Sequence, residues 1–146
     1  MASTNEKLDF CKQLGAEYGI NYKEHPNFSE VVKELTEGRG VDVIQDPVLA
    51  SNFDENLNSL AMDARWVLYG SMGGIKVNEA NMMKLLVKRA SLIGSTLRNQ
   101  SDEYKAKLFE EMYSKCRPKF QSGEIKPIMS AQFRLSEVSK AHDLVE

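Results

Sequence analysis

The chain has 146 residues, 42% of them hydrophobic and 27% charged, with a formal net charge of -2. That is enough chain for one domain with its own core, and the balance of charge offers no basic stripe to release counterions from a nucleic-acid backbone. No apolar run approaches the roughly 20 residues that cross a bilayer, no apolar signal core follows Met1, and Cys11 and Cys116 form neither a disulfide framework nor a zinc pattern.

These features predict a cytoplasmic protein with no nucleic-acid, membrane or metal partner. Leu8, Cys11 and Leu14 recur at helical spacing and predict a helix ending before Gly15. Glu17 to Tyr22 reads as a short strand. Phe28, Val31, Val32 and Leu35 mark an amphipathic helix, capped by Asn27 or Ser29 and closed by Gly38. Val41 to Ile44 is a β-branched run and reads as a buried strand. A helix is expected from about Ser51 to Met62, then a strand from Arg65 into the glycine-rich loop Gly70-Ser71-Met72-Gly73-Gly74. Met82, Met83, Leu85 and Leu86 predict a helix, with the methionine pair read as core. Ser91 to Thr96 predicts a strand, and Ser101 to Cys116 a longer helix with Tyr104, Leu108 and Met112 on one face. Pro127 to Arg134 alternates like a strand, and Ser136 is placed to cap a last helix through Ala141 and Leu144. Trp66 is expected to pack against a neighbouring helix, and Lys33, Lys84, Lys88 and Arg89 read as solvated helix faces.

Strands alternating with helices of about ten residues imply parallel βαβ crossovers, hence one layered α/β domain. Two features of a complete dinucleotide-binding fold are missing from this pattern. There is no strand followed by G-x-G-x-x-G, whose backbone would approach a pyrophosphate at a helix N-terminus. Gly38-Arg39-Gly40 lies between a helix and a strand and reads as a cap and tight turn. The first helix also starts almost at Met1, so the chain reads as beginning inside a domain.

The segments Asn5 to Ala16, Ile20 to Lys23, Gly38 to Ile44, Arg65 to Gly74 and Leu92 to Arg98, with the ending Ala141 to Glu146, together resemble one family. The order and spacing resemble the zinc-free NADPH quinone oxidoreductase branch of the medium-chain dehydrogenase/reductase superfamily, and within it the p53-inducible quinone oxidoreductase group. The resemblance covers essentially the whole chain. It implies a partial Rossmann-type parallel sheet flanked by helices, without the first strand and its glycine-rich turn. Residues 1–146 would be the C-terminal portion of the nucleotide-binding domain. Residues 127–146 would be a terminal strand and helix packing toward a catalytic domain.

The same resemblance implies roles for individual residues. Thr4 and Lys7 stand where this family contacts the 2′-phosphate of NADP, a task that suits a hydroxyl donor and a point cation. Their alternative roles are a helix cap and a solvated cation. Tyr22 stands where a tyrosine closes over the adenosine phosphate. Gly70, Ser71, Met72, Gly73 and Gly74 would run beside the nicotinamide ribose, and Thr96, Leu97 and Arg98 would lie near the nicotinamide. Ser91 to Thr96 would be the edge through which two subunits form a homodimer. No residue is assigned as catalytic and none as a metal ligand. The implied parent reaction is hydride transfer from NADPH to a small-molecule quinone or enone, with the cofactor supplying the chemistry. This chain alone is expected to be inactive. The resemblance is broken at Leu49-Ala50, where family members carry two glycines after the strand aspartate matching Asp46. A non-catalytic, self-associating α/β chain that no longer binds cofactor is therefore the alternative.

Overall fold

The computed structural model describes residues 1–145, and these form two compact units, Met1–Thr96 and Leu97–Glu146, the last residue of the second lying outside the described ones. In the first unit, helices α1 (Asn5–Gln13), α2 (Phe28–Leu35), α3 (Phe53–Ser59) and α4 (Met83–Lys88) alternate with strands β1 (Val41–Asp46), β2 (Leu60–Leu68) and β3 (Ser91–Gly94). The strands form one parallel sheet in the order β1-β2-β3. Sequence neighbours are spatial neighbours throughout, as expected when each crossover is a short helix.

The core lies where β2 meets α3. Trp66 and Leu60 are fully buried, and Phe53, Leu57 and Ala64 complete the cluster. The rings of Phe53 and Trp66 stand 4.8 Å apart at 47°, a tilted packing favoured by the aromatic quadrupole. Ile44, Leu68, Leu85 and Leu92 pack against this cluster from the flanking elements. Outside it, Leu8 on α1, Ile20 in the connection between α1 and α2, and Phe28 at the start of α2 are also buried.

Several sequence expectations are corrected. The segment 17–22 is not a strand; it makes one isolated parallel bridge, Ala2 with Asn21. Neither partner continues into a ladder, and α1 begins three residues after Ala2. The helix expected through Met62 ends at Ser59, because Leu60, Ala61 and Ala64 enter the core as part of β2. Phe53, Leu57, Leu60 and Ala61 fit helical spacing, so periodicity could not mark the change. A bulge near the start of β2 accompanies it, with Asp63 in the left-handed region at φ 61°. Met82 and Met83 are 50% and 62% exposed, because α4 turns Leu85 to the core instead.

The second unit holds the long helix α5 (Asp102–Ser122) and the short helix α6 (Val138–Val145). Ser101 caps α5 by accepting the amide of Tyr104, as a serine at that place should. The helix continues past Cys116 and through Pro118, which removes a single donor, and closes at Gly123 with φ 77°. The strand expected over 127–134 does not form. Alternation alone makes no strand without a neighbour to complete its backbone ladder, and Ile128 and Met129 stand exposed. Ser136 caps nothing; it lies inside a single 3-10 turn, Leu135–Glu137, that leads into α6.

Candidate functional site

Because the strands are parallel, their carboxyl ends share one edge of the sheet. Asp46, Leu68 and Gly94 fall in one row across that edge. Each is followed by a connecting loop, the usual place for a ligand in an open α/β sheet.

The loop after β1 is fixed by Asp46, whose carboxylate is buried at 2% exposure. One oxygen, Oδ1, accepts the amides of Val48 at 2.7 Å and Leu49 at 3.0 Å, an Asx-type turn. The other, Oδ2, accepts Asn56 Nδ2 at 2.9 Å and the indole Nε1 of Trp66 at 3.0 Å. The charge is thus solvated by four donors in place of water. Strand end, α3 and the core tryptophan are joined through one side chain.

That turn drives Leu49 to φ 68° and ψ -102°, a conformation that favours glycine. The amide bonds of Val48 and Leu49 to Asp46 hold this shape with a leucine in place. Ala50 then begins a 3-10 turn, Ala50–Asn52, leading into α3.

The loop after β2 is bonded to this turn along its length. Tyr69 donates its amide to Asp46 O, Met72 to Pro47 O and Gly73 to Val48 O, while Ala50 donates back to Gly74 O. Such close approach requires glycine. A Cβ on Gly70 would stand 2.6 Å from Pro47 O, and one on Gly73 would stand 2.7 Å from Val48 Cγ1 and closer still to Ser51 Oγ.

Tyr22 reaches the same place from the other side. Its amide donates to Ala2 O, and its neighbour Asn21 is buried, donating to Glu24 Oε1 at 2.7 Å and Asn5 Oδ1 at 3.3 Å. Tyr22, Met72 and Gly73 line an open cleft of about 290 Å³ together with Val48, Ser51 and Asn52.

The structure therefore brings Tyr22 together with Met72 and Gly73 from the glycine loop, and leaves other expected residues apart from this cleft. Thr4 is the N-cap of α1, its Oγ1 accepting the amide of Lys7 at 3.4 Å, while the Lys7 side chain is exposed. Gly70, Ser71 and Gly74 belong to the same loop without lining the cleft. Thr96 closes the first unit just beyond β3, and Leu97 and Arg98 belong to the second unit. Val48, Ser51 and Asn52 were missed by sequence reasoning. The available signal was Asp46-Pro47, an acidic strand end that turns the next residues back by accepting their amides.

Among the described residues, no group of three or more His, Cys, Asp or Glu side chains is placed to hold a metal ion. Nor, among them, is any helix long and apolar enough to cross a membrane.

Glycine-rich and aspartate-locked loops thus meet at the carboxyl edge of a parallel sheet flanked by helices, where open α/β sheets bind their ligands. The zinc-binding dehydrogenase family matches residues 1–113, and the chain belongs to that family. It is 33% identical over 146 residues to the quinone oxidoreductase-like protein 2 homolog of Nematostella vectensis, covering 99% of this chain and 39% of that protein. It is 28% identical over 142 residues to the quinone oxidoreductase of Homo sapiens, covering 97% and 41%. The solved quinone oxidoreductase of Pseudomonas syringae superimposes with a TM-score of 0.71 at 28% identity, covering 96% of this chain and 42% of that one. The chain spans about two fifths of the length of these relatives. The resemblance to quinone oxidoreductases of the medium-chain dehydrogenase/reductase superfamily therefore holds over nearly the whole sequence.

Proposed function

We propose that the chain is the cofactor-side portion of an NADPH-dependent quinone oxidoreductase. The observation that carries this reading is the pair of loops bonded to each other at the carboxyl edge of the sheet, opening with Tyr22 onto one cleft. The bound nicotinamide would supply the hydride, and a quinone or enone would receive it. The chain's own residues orient the cofactor. Tyr22 offers an exposed ring at the adenosine end, and Gly70 to Gly74 let the backbone come close to the ribose. Lys7, with the hydroxyl of Thr4 at the α1 N-terminus, meets the 2′-phosphate. Thr96, Leu97 and Arg98 serve the nicotinamide end. The four-donor shell around Asp46 keeps the cleft wall rigid, so orientation need not be re-established at each turnover. The quinone site needs a second wall supplied by the remaining length seen in relatives, so this chain alone reduces no quinone. A cytoplasmic location belongs to the same proposal and agrees with free thiols at Cys11 and Cys116.

Titration of this chain with NADPH, followed by nicotinamide fluorescence, tests the reading. Saturable binding should weaken by about tenfold in Lys7→Gln while NADH binding stays unchanged, the loss expected for one charge-assisted contact. Absence of binding at high micromolar NADPH would remove the cofactor role.

A second reading is favoured by β3, which pairs with β2 and with no other described strand. Its free edge, with Ile93 41% exposed, can extend the sheet into a second copy. Under this reading the chain forms a homodimer through Ser91–Thr96, with or without cofactor. Light scattering after size exclusion distinguishes dimer from monomer.

A further inference from the structure

Lys33, Lys84 and Lys88 read in sequence as solvated helix positions, but the fold brings them to the rim of one groove between α2, α3 and α4. The groove encloses about 360 Å³ and shares no residue with the cleft at the carboxyl edge of the sheet. Its floor is apolar, formed by fully buried Leu57 and by Met83 and Val87, each 62% exposed. Among the described residues, no carboxylate lines it.

The charges at the rim are not neutralised by any described residue. Among the described residues, Lys33, Lys84 and Lys88 make no ion pair, whereas neighbouring Arg89 is held by Asp63. Lys84 instead donates to Asn58 Oδ1, which steers its ammonium group over the groove wall. Asn81, exposed at the entrance to α4, adds an amide donor beside it. Three cations converge on an apolar trough in a chain of net charge -2, so the local field is opposite in sign to the net charge.

We infer that this groove is a binding site for an amphiphilic carboxylate, an anionic head on an aliphatic tail. The tail would cover Leu57, Met83 and Val87, and the head would lie between Lys33 and Lys88. Neither part suffices alone: exposed ion pairs contribute little, and a shallow apolar trough gains affinity only when the ligand is also anchored at its polar end.

The test is amide-resonance mapping of the intact chain with three probes at equal concentration: octanoate, octan-1-ol and acetate. Octanoate should saturate, shifting the amides of residues 57–58 and 83–88, while acetate and octan-1-ol should leave them nearly unmoved. Lys33→Gln combined with Lys88→Gln should weaken octanoate about tenfold, the sum of two charge contacts at the groove rim. Lys33 is exposed, Lys88 is half-buried with no ion pair among the described residues, and the double variant keeps the Lys84–Asn58 bond, so the thermal midpoint should change little. Equal shifts with octan-1-ol would reduce the groove to an apolar surface. Equal shifts with acetate would reduce it to a counter-ion patch, and no octanoate shifts would remove the site.

Discussion

Leu49 is held in a backbone conformation that leucine rarely adopts. Its φ of 68° is held by the amide bonds to Asp46, so the strain is imposed by the turn. Glycine there would lose a half-buried side chain but relieve a conformation that costs an L-residue roughly 1–2 kcal/mol. Alanine would lose the same side chain and keep the strain. Leu49→Gly should therefore unfold in urea at higher denaturant than Leu49→Ala, by about 1 kcal/mol. Asp46 offers the complementary test. An asparagine keeps one acceptor oxygen, but its amino group must face either two backbone amides or the donors of Asn56 and Trp66. Asp46→Asn should cost about 2–4 kcal/mol by urea unfolding, since two buried donors lose their acceptor. The aspartate was visible in the sequence as a strand end. Its fourfold role was not, because Asn56 and Trp66 reach it only after α3 and β2 fold back over the strand.

At the scale of elements, α4 is tied to the start of β2 by one exposed pair. Arg89 donates from Nε and Nη2 to the two carboxylate oxygens of Asp63, at 2.9 and 2.6 Å. Both residues are in the left-handed region, Asp63 in the bulge and Arg89 as the C-cap of α4. The guanidinium hydrogen bonds hold the Asp63 carboxyl below the usual carboxylate range and raise Arg89. The sign follows from the depressed value in the folded state. The stabilisation is fully present above the ordinary aspartate value near 3.9 and is lost as pH falls through the lower folded value. Carboxyl carbon resonances should show Asp63 titrating below the ordinary aspartate value, as Asp42 does beside Arg39, and Arg89→Gln should raise it toward that value. A normal Asp63 titration in the unmodified chain would show that the pair is not held in solution. The boundary between α3 and β2 lies in this region too, where Leu60 fits both the helical stripe and the strand. Packing decides it, because Leu60 and Ala64 fill the space under Trp66 that a longer α3 would vacate.

Across the whole molecule, burial is distributed unevenly. Among the described residues, every buried one lies between Leu8 and Trp66, and none from Leu97 onward is buried. Helix α5 has a good cap and two ion pairs along its length, one i,i+3 and one i,i+4, and such exposed pairs contribute little. Hydrogen exchange should therefore be slowest in β2 from Ala64 to Leu68 and fast throughout 97–145, α5 included. Protection of α5 equal to that of β2 would overturn this, and protection that rises with protein concentration would support self-association. The exposed Tyr104, Phe109, Met112 and Phe120 are the residues such association would cover.

The sequence by itself determined the family, the alternation of helix and parallel strand, and the glycine loop of the site. These are local patterns: hydrophobic period, cap residues and glycine spacing each act within a few positions of the chain. It failed at 17–22 and 127–134, where alternation was real but a strand needs a neighbour, and at Leu60, where one apolar pattern served two geometries. Only the tertiary structure decided that Tyr22, Val48 and Gly73 share a cleft, that Asp46 locks its wall, and that three lysines from two helices converge on one groove. Each of those depends on contacts between residues distant in sequence, which no local period encodes.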